Sequence, residues 1–194
     1  MKKILIAGCG AIGSNLVRNL VPDLRGEHEI TILDMDLVEE RNVTPGTQWY
    51  SLDQVGIPKV DALQFNIFKW YEREIEIVNE EYKKGIALPW FDLIVDCFDN
   101  HRSRLVLQET WLKVSGFDLL HIGFSDQFTF SIEWADGYQV PTDITSGMDI
   151  CEMPGAAAFV SCVSSLGALS IERYLDKGEK MQMIGGKYSH SIVR

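Results

Sequence analysis

A glycine turn near the amino terminus narrows the folds open to this chain. The run Ile4-Leu-Ile-Ala-Gly8-Cys9-Gly10-Ala11-Ile12-Gly13-Ser14 sets a short apolar stretch against three glycines, and a helical pattern from Asn15 to Leu20 follows. The next apolar run, Glu29-Ile-Thr-Ile-Leu-Asp34, ends on an acid. Strand, glycine turn, helix, strand and acid in this order mark a nucleotide-binding βαβ unit. The three glycines act differently. Gly8 permits a tight turn, Gly10 lets backbone approach a phosphate, and Gly13 lets helix and strand pack closely. The helix start at Ala11 and Ile12 then offers unpaired N–H groups and a partial positive charge to an anion. Asp34 can accept hydrogen bonds from ribose hydroxyls.

The rest of the chain repeats the strand–helix alternation. Lys3 to Ala7 reads as the first strand. Ala11 to Val21 reads as the first helix, stopped by Pro22, and Ile30 to Leu33 as the second strand. A long polar stretch from Asp36 to Pro58 carries a Pro45-Gly46 turn; a loop of that length in a compact domain is usually functional. Lys59 to Tyr71 has helical spacing, with Val60, Leu63, Ile67 and Trp70 on or near one face. Further strands are predicted at Ile75–Val78, Asp92–Cys97 and Leu119–Ile122. An alternating sixth at Phe128–Trp134 is open to antiparallel pairing. Helices are predicted at Arg102–Val114 and Ala156–Leu175, the latter ending at Gly178. The tail from 181 to 194 reads as a peripheral edge strand or a frayed end. The expected fold is α/β: a Rossmann-like, doubly wound, mostly parallel sheet with helices on both faces and antiparallel strands at an edge.

Composition limits the partners. With 28 acidic against 18 basic side chains the formal net charge is −10, which argues against nucleic acid or an anionic membrane as partner. No apolar run reaches the ~20 residues of a membrane span, and the expected location is the cytoplasm. The four cysteines, Cys9, Cys97, Cys151 and Cys162, form no CxxC pair, so a structural zinc site is not expected. Cys162 reads as core, and Cys9, at a helix start, is open to a lowered pKa or to a purely steric role. His121 reads as a satisfied core histidine, His101 as a neighbour of Asp99, and Trp70, Trp111 and Trp134 as packing.

In open α/β sheets ligands bind beyond the carboxyl ends of the strands. There the Gly8–Gly13 turn, Asp34 with Asp36, and Asp99 with Asn100 should gather, with Lys59 starting the helix after the long loop. Carboxylates beside a phosphate site suit Mg2+, which takes oxygen ligands and substrate phosphates. A lysine there neutralises charge during phosphoryl or nucleotidyl transfer. An NAD site needs neither, so the set leans towards ATP, with an NAD-dependent oxidoreductase as the remaining alternative.

These residues resemble the ubiquitin-activating-enzyme-like adenylating family, which includes proteins of thiamine and molybdenum-cofactor biosynthesis. Gly8-Cys-Gly10-Ala-Ile-Gly13-Ser14-Asn15 is similar to the family's GxGxxGS turn. Asp34-Met-Asp36-Leu-Val38-Glu-Glu-Arg41-Asn42 is similar to its DxDxVxxSN segment, Val55-Gly56-Ile57-Pro58-Lys59-Val60 to its xGxPKx motif, and Asp96-Cys-Phe-Asp99-Asn100-His-Arg-Ser-Arg104 to its DxxDNxxxR motif. The helix from Gly155 to Tyr174 resembles the small-residue helix that closes the family's fold. The resemblance covers nearly the whole chain and implies one ATP-binding adenylation domain over residues 1–194.

It further implies activation, with ATP and Mg2+, of the C-terminal carboxylate of a ubiquitin-like protein or peptide. Asp34 would hold the ribose, Asn42 and Lys59 would contact phosphates, and Asp99 would bind Mg2+. Gly8, Gly10, Ala11, Ile12, Gly13, Asp36 and Asn100 would complete the nucleotide site. The protein would act as a homodimer or as a subunit of a larger complex.

The sequence departs from that family in places. The family's Arg-Gln pair after its Asn is displaced: Arg41 precedes Asn42, and Gln48 stands in for the glutamine. Arg41 either reaches a phosphate from its new place or faces solvent beside Glu39 and Glu40. Cys151, in the connection Ala135–Met153, is the candidate for a thioester, against an inert thiol. The departures leave a non-catalytic nucleotide-binding or scaffold subunit as the rival.

Overall fold

In the computed structural model, which describes residues 1–114, 116–141, 153–187 and 189–193, strands and helices alternate along most of the chain. Strand β1 (Lys3–Ala7) leads to α1 (Ala11–Asp23), β2 (Glu29–Leu33), a one-turn helix α2 (Glu40–Val43), a 3-10 turn (Leu52–Gln54) and α3 (Lys59–Tyr71). Then come β3 (Glu76–Val78), β4 (Leu93–Asp96), α4 (His101–Lys113), β5 (Asp118–Phe124), β6 (Thr129–Trp134), α5 (Ala156–Lys177), β7 (Gln182–Gly186) and β8 (Ser189–Val193). The eight described strands form one sheet in the order β3-β2-β1-β4-β5-β6-β7-β8. The first five run parallel and β6, β7 and β8 add antiparallel. Strand order reverses between β1 and β4, so the crevice of a doubly wound sheet opens beside the carboxyl end of β1.

Covering both faces explains the residue pattern of the central strands. Ile4 and Ile6 of β1 point into a core shared with Leu16 and Leu20 of α1, Leu63 and Ile67 of α3, and Val160, Val163 and Ile171 of α5. Leu5 and Ala7 point the other way, towards Leu107 of α4 and Ile94 and Leu119 of the neighbouring strands. A strand buried on both sides is a continuous apolar run, not an alternating one. Each fully buried Ile or Leu of that run contributes roughly 1.5–3 kcal/mol of transfer free energy. In β6, by contrast, Phe130, Ile132 and Trp134 are buried and Thr129 is exposed. That alternation is the signature of an antiparallel strand with one wet face.

Several boundaries differ from the sequence expectation. Pro22 does not stop α1 but lies in its last turn, and the helix closes at Leu24, whose N–H donates to Leu20 O over 3.1 Å. A proline there has no N–H for the carbonyl four residues back, so α1 loses one hydrogen bond in its last turn and ends one residue on, at Asp23. The 36–58 stretch is an ordered segment with two short helical turns. Leu37 and Pro58 pair as a bridge at its mouth. The tail supplies two strands, β7 and β8, as a hairpin on the sheet's edge. Trp70, in the last turn of α3, is 67% exposed, so only Val60, Leu63 and Ile67 of the predicted face are core. Cys162 is exposed as well: Val160, Val163 and Gly167 take the inner face of α5, and Cys162 points away from it.

Candidate functional site

The glycine turn is built as its sequence implies. Gly8 adopts φ +96, and a β-carbon on it would stand 2.9 Å from both the carbonyl carbon and oxygen of Cys97 at the exit of β4. On Gly13 a β-carbon would stand 1.8 Å from Gly8 O, so helix and turn touch backbone to backbone. Gly10 is different. Nothing lies within 4 Å of the place its β-carbon would occupy, and as N-cap of α1 it brings no side-chain cap. The first N–H groups of α1 therefore border an open space that an anion can enter. Ile12 and Gly13 are themselves buried, so only their backbone faces the crevice.

Asp34 closes the other side of the turn. Its Oδ2 accepts the Cys9 N–H over 2.6 Å and its Oδ1 accepts the Asp36 N–H over 2.8 Å. Burial raises its pKa; Lys59 and the two N–H groups oppose that rise without cancelling it. Each oxygen keeps a second lone pair for a further donor, such as a ribose hydroxyl. Outside this end of β2 lies an open cavity of ≈ 640 Å³, lined by Met35, Asp36, Leu37, Glu39 and Val55 among others.

Lys59 is 7% exposed, and its Nζ lies 3.0 Å from Asp36 Oδ2. Burial works against its charge, but the carboxylates of Asp34, Asp36 and Asp99 outweigh it and hold its pKa above the usual value. Asp99 thus acts on Lys59 from a different segment, and the two share one electrostatic neighbourhood. Asp99 itself is exposed and makes no hydrogen bond or ion pair among the described residues. Its neighbour Asn100 caps α4, Oδ1 accepting the Ser103 N–H over 2.9 Å.

The long segment is anchored to α1 by side chains. Ser14 Oγ accepts the Trp49 N–H over 3.1 Å, Asn15 Nδ2 donates to Thr47 O over 2.9 Å, and Tyr50 Oη donates to Cys9 O over 2.6 Å. These anchors bring Thr47 and Gln48 beside the first turns of α1. Thr47 Oγ1 and Gln48 Oε1 are both buried without a hydrogen-bond partner among the described residues. Buried polar atoms are rarely left so unless something else satisfies them. Asn42 spends Oδ1 on the Glu39 N–H over 2.8 Å, capping α2. Arg41 is exposed and its Nε engages the Glu39 carboxylate, the solvent-facing of its two predicted placements.

The cysteines divide by burial. Cys9 and Cys97 are buried, and burial, joined by nearby carboxylates, pushes both thiols well above the usual range. A lowered pKa at Cys9 is therefore not found: the helix start beside it is outweighed by desolvation and by Asp34. Cys151 lies outside the described residues. Sequence reasoning misses Tyr50 and Thr47 as anchors, for which the sequence holds no motif, and places Ser14 in the GxGxxGS turn without its bond to Trp49. It also misses the partnership of His121 with Asp96, which only the register of β4 and β5 reveals.

The residues present suit a nucleotide and a divalent cation. Gly10 leaves room for a phosphate, Lys59 Nζ lies 3.0 Å from Asp36, and Gln48 Oε1, buried without a partner among the described residues, is an acceptor free for a donor group or a cation. No group of three His, Cys, Asp or Glu that could hold a metal by itself occurs among the described residues. A single carboxylate is the donor set of a Mg2+ that takes its other ligands from phosphates and water. No described helix is long and apolar enough to cross a membrane.

A search of curated proteins finds no match. The model of the ThiF family matches residues 1–119. Among solved structures, E. coli MccB with ATP aligns at 18% identity and TM-score 0.73, covering 99% of this chain and 62% of that one. The microcin C7 biosynthetic enzyme MccB in complex with N-formylated MccA aligns at 17% identity and TM-score 0.69, covering 99% and 63%. PaaA aligns at 17% identity and TM-score 0.67, covering 100% and 64%. This chain spans less than two thirds of the length of these proteins.

Proposed function

Since the chain belongs to the ThiF family, we propose that it is an ATP- and Mg2+-dependent adenylyltransferase acting on the C-terminal carboxylate of a peptide or ubiquitin-like protein. A carboxylate oxygen attacks the α-phosphorus of ATP, an O–P bond forms, pyrophosphate leaves, and an acyl-adenylate remains. The carboxylate is already a nucleophile, so the protein's work is alignment and charge neutralisation. The N–H groups at the start of α1 and the Lys59 ammonium supply positive potential along the phosphates. Asp34 orients the ribose, and the cavity beyond β2 receives the base. Gln48, Asn42 and Asn100 border the phosphates. Asp99 would hold Mg2+, which supplies charge neutralisation on the phosphate oxygens. MccB, whose solved complexes contain ATP and MccA, supports a peptide as acceptor here. We further propose a cytoplasmic homodimer or complex.

The observation that carries this reading is a buried lysine, Lys59, held 3.0 Å from Asp36 Oδ2, together with a helix start at Gly10 that has no side-chain cap. The nucleotide site of an oxidoreductase has no use for such a phosphate-directed lysine. The engagement of Arg41 with Glu39 favours one rival, a subunit that binds nucleotide without performing chemistry. Exchange of labelled pyrophosphate into ATP, with Mg2+ and peptides ending in a free carboxylate, separates the two. Exchange that Lys59→Ala abolishes supports catalysis; ATP binding with no exchange for any acceptor supports the rival.

A further inference from the structure

Arg104 ends the motif that carries Asp99, yet it takes no part in the nucleotide site described above. The turn between β4 and α4 is short: Cys97, Phe98 and Asp99 connect Asp96, the last residue of β4, to Asn100, the N-cap of α4. Phe98 is held on both sides. Asp96 Oδ1 accepts its N–H over 3.0 Å, and Arg104 Nε donates to its carbonyl over 2.7 Å. That carbonyl belongs to the peptide plane leading into Asp99, so its direction sets how Asp99 leaves the turn. The Phe98 ring is buried against Tyr82, with centroids 5.7 Å apart.

Asp96 is in turn held from the next strand. Register sets His121 of β5 opposite it, and His121 Nδ1 lies 3.0 Å from Asp96 Oδ2. The two residues are 3% and 2% exposed. Tyr138 stacks on the imidazole at 4.0 Å and 9°, and Gln108 of α4 donates to Tyr138 O over 2.8 Å. The imidazole edge and the Arg104 guanidinium converge on Gly123: His121 Nε2 lies 2.6 Å, and Arg104 Nη2 3.6 Å, from where a β-carbon there would stand. β4, β5, α4 and the segment after β6 thus close around one turn. Burying a carboxylate is unfavourable unless its partners offset the lost water, and apolar residues of similar volume would pack β4 on β5 as well. What they could not supply is the grip on the Phe98 N–H.

Asp99 needs such support, because it is exposed on a short turn. A carboxylate that is the protein's one ligand to a cation has no companion ligand to fix its place. We propose that Arg104 and the Asp96–His121 pair are positioning residues: they set the backbone at Phe98 so that the Asp99 carboxylate is presented to Mg2+ in one orientation. This rests on the reading of Asp99 as the Mg2+ ligand. In this role none of the three touches nucleotide or metal; each acts through the peptide that joins Phe98 to Asp99. Groups that orient a metal's ligands are worth about 10- to 100-fold in metal affinity.

The test compares affinity for an ATP analogue with a methylene between its α- and β-phosphates, titrated calorimetrically into the full chain in Mg2+ and in EDTA. The ratio of the two is the gain that the cation adds. Asp99→Asn should lose that gain. Arg104→Met, which keeps a stem of similar length but no donor, should lose about 10-fold or more of it, with affinity in EDTA within about threefold of wild type. His121→Leu fills the ring's space without donating to Asp96 and should show the same loss. His121→Asn, whose amide can donate to Asp96, should restore most of the gain although it fills the space less well; packing alone predicts the opposite order. Thermal melts confirm that the variants fold, and Arg104→Met, at a half-buried position, carries the test should His121→Leu unfold. A full Mg2+ gain in folded Arg104→Met, or affinity lost equally in EDTA and in Mg2+, overturns the positioning role. A wild-type gain in Asp99→Asn, or no gain in the wild type, overturns the reading of Asp99 beneath it.

Discussion

Two glycines three residues apart should respond to the same substitution in opposite ways. Gly10→Ala places a methyl where nothing stands within 4 Å, so it meets no clash; φ −75 suits any residue, while ψ −147 lies beyond the usual β range and carries a modest strain. Its melting temperature should fall by no more than the equivalent of about 1 kcal/mol. A phosphate seated on the α1 amides, however, meets that methyl. Displacement by roughly 1.5 Å, one bond length, carries a hydrogen bond of about 2.9 Å out of range. Losing one charge-assisted hydrogen bond is worth about 1.5–3 kcal/mol, or about 10- to 150-fold in ATP affinity. Gly13→Ala presents the reverse case. Its methyl would lie 1.8 Å from Gly8 O, an overlap that only movement of α1 away from the turn relieves. Overpacking of this kind costs roughly 1–3 kcal/mol, or about 2–12 °C for a chain of this size. Calorimetric titration with ATP and Mg2+ alongside thermal melts reads both quantities. Wild-type ATP affinity in Gly10→Ala would refute the reasoning, because the open space would then not be where phosphate goes.

Lys59 carries a raised pKa, so whatever its charge contributes to folding is fully present below the ordinary value of 10.5 and lost as pH climbs through the folded value. The stability difference between wild type and Lys59→Met should therefore fall as pH climbs above 10.5, and a difference that stays flat there, followed by chemical denaturation, contradicts the assignment. Among the described cysteines, iodoacetamide should modify Cys162 in the native protein and reach Cys9 and Cys97 only after unfolding, as peptide mass mapping would show.

What the sequence reveals and what it hides divide along the distance over which the determining contacts act. β1, α1, β2 and α3 are legible because burial on both faces, glycine sterics and 3.6-residue spacing are local properties of the chain. The 36–58 segment looks like an open loop because its order comes from Ser14, Asn15 and Tyr50 bonding across to or from α1 and the turn, pairings no local pattern announces. β7 and β8 lie in a stretch with Gly185 and Gly186, poor strand formers whose conformation is set by the neighbours they pair with. At the site, motif order singles out Lys59 and Asp99, and in the structure Lys59 is buried with its Nζ 3.0 Å from Asp36 while Asp99 is exposed. The motifs also include Arg41, whose partner Glu39 decides its direction. They are silent on His121, which meets Asp96 only through sheet register.

The two backbone amides that grip Asp34 have a consequence for binding thermodynamics. Its carboxylate is tethered to Cys9 on one side and Asp36 on the other, so its rotamer is chosen when the chain folds. A nucleotide arriving at this end of β2 meets an acid already aimed. The freedom that docking would otherwise remove from that side chain has been given up beforehand, and the association constant keeps the benefit.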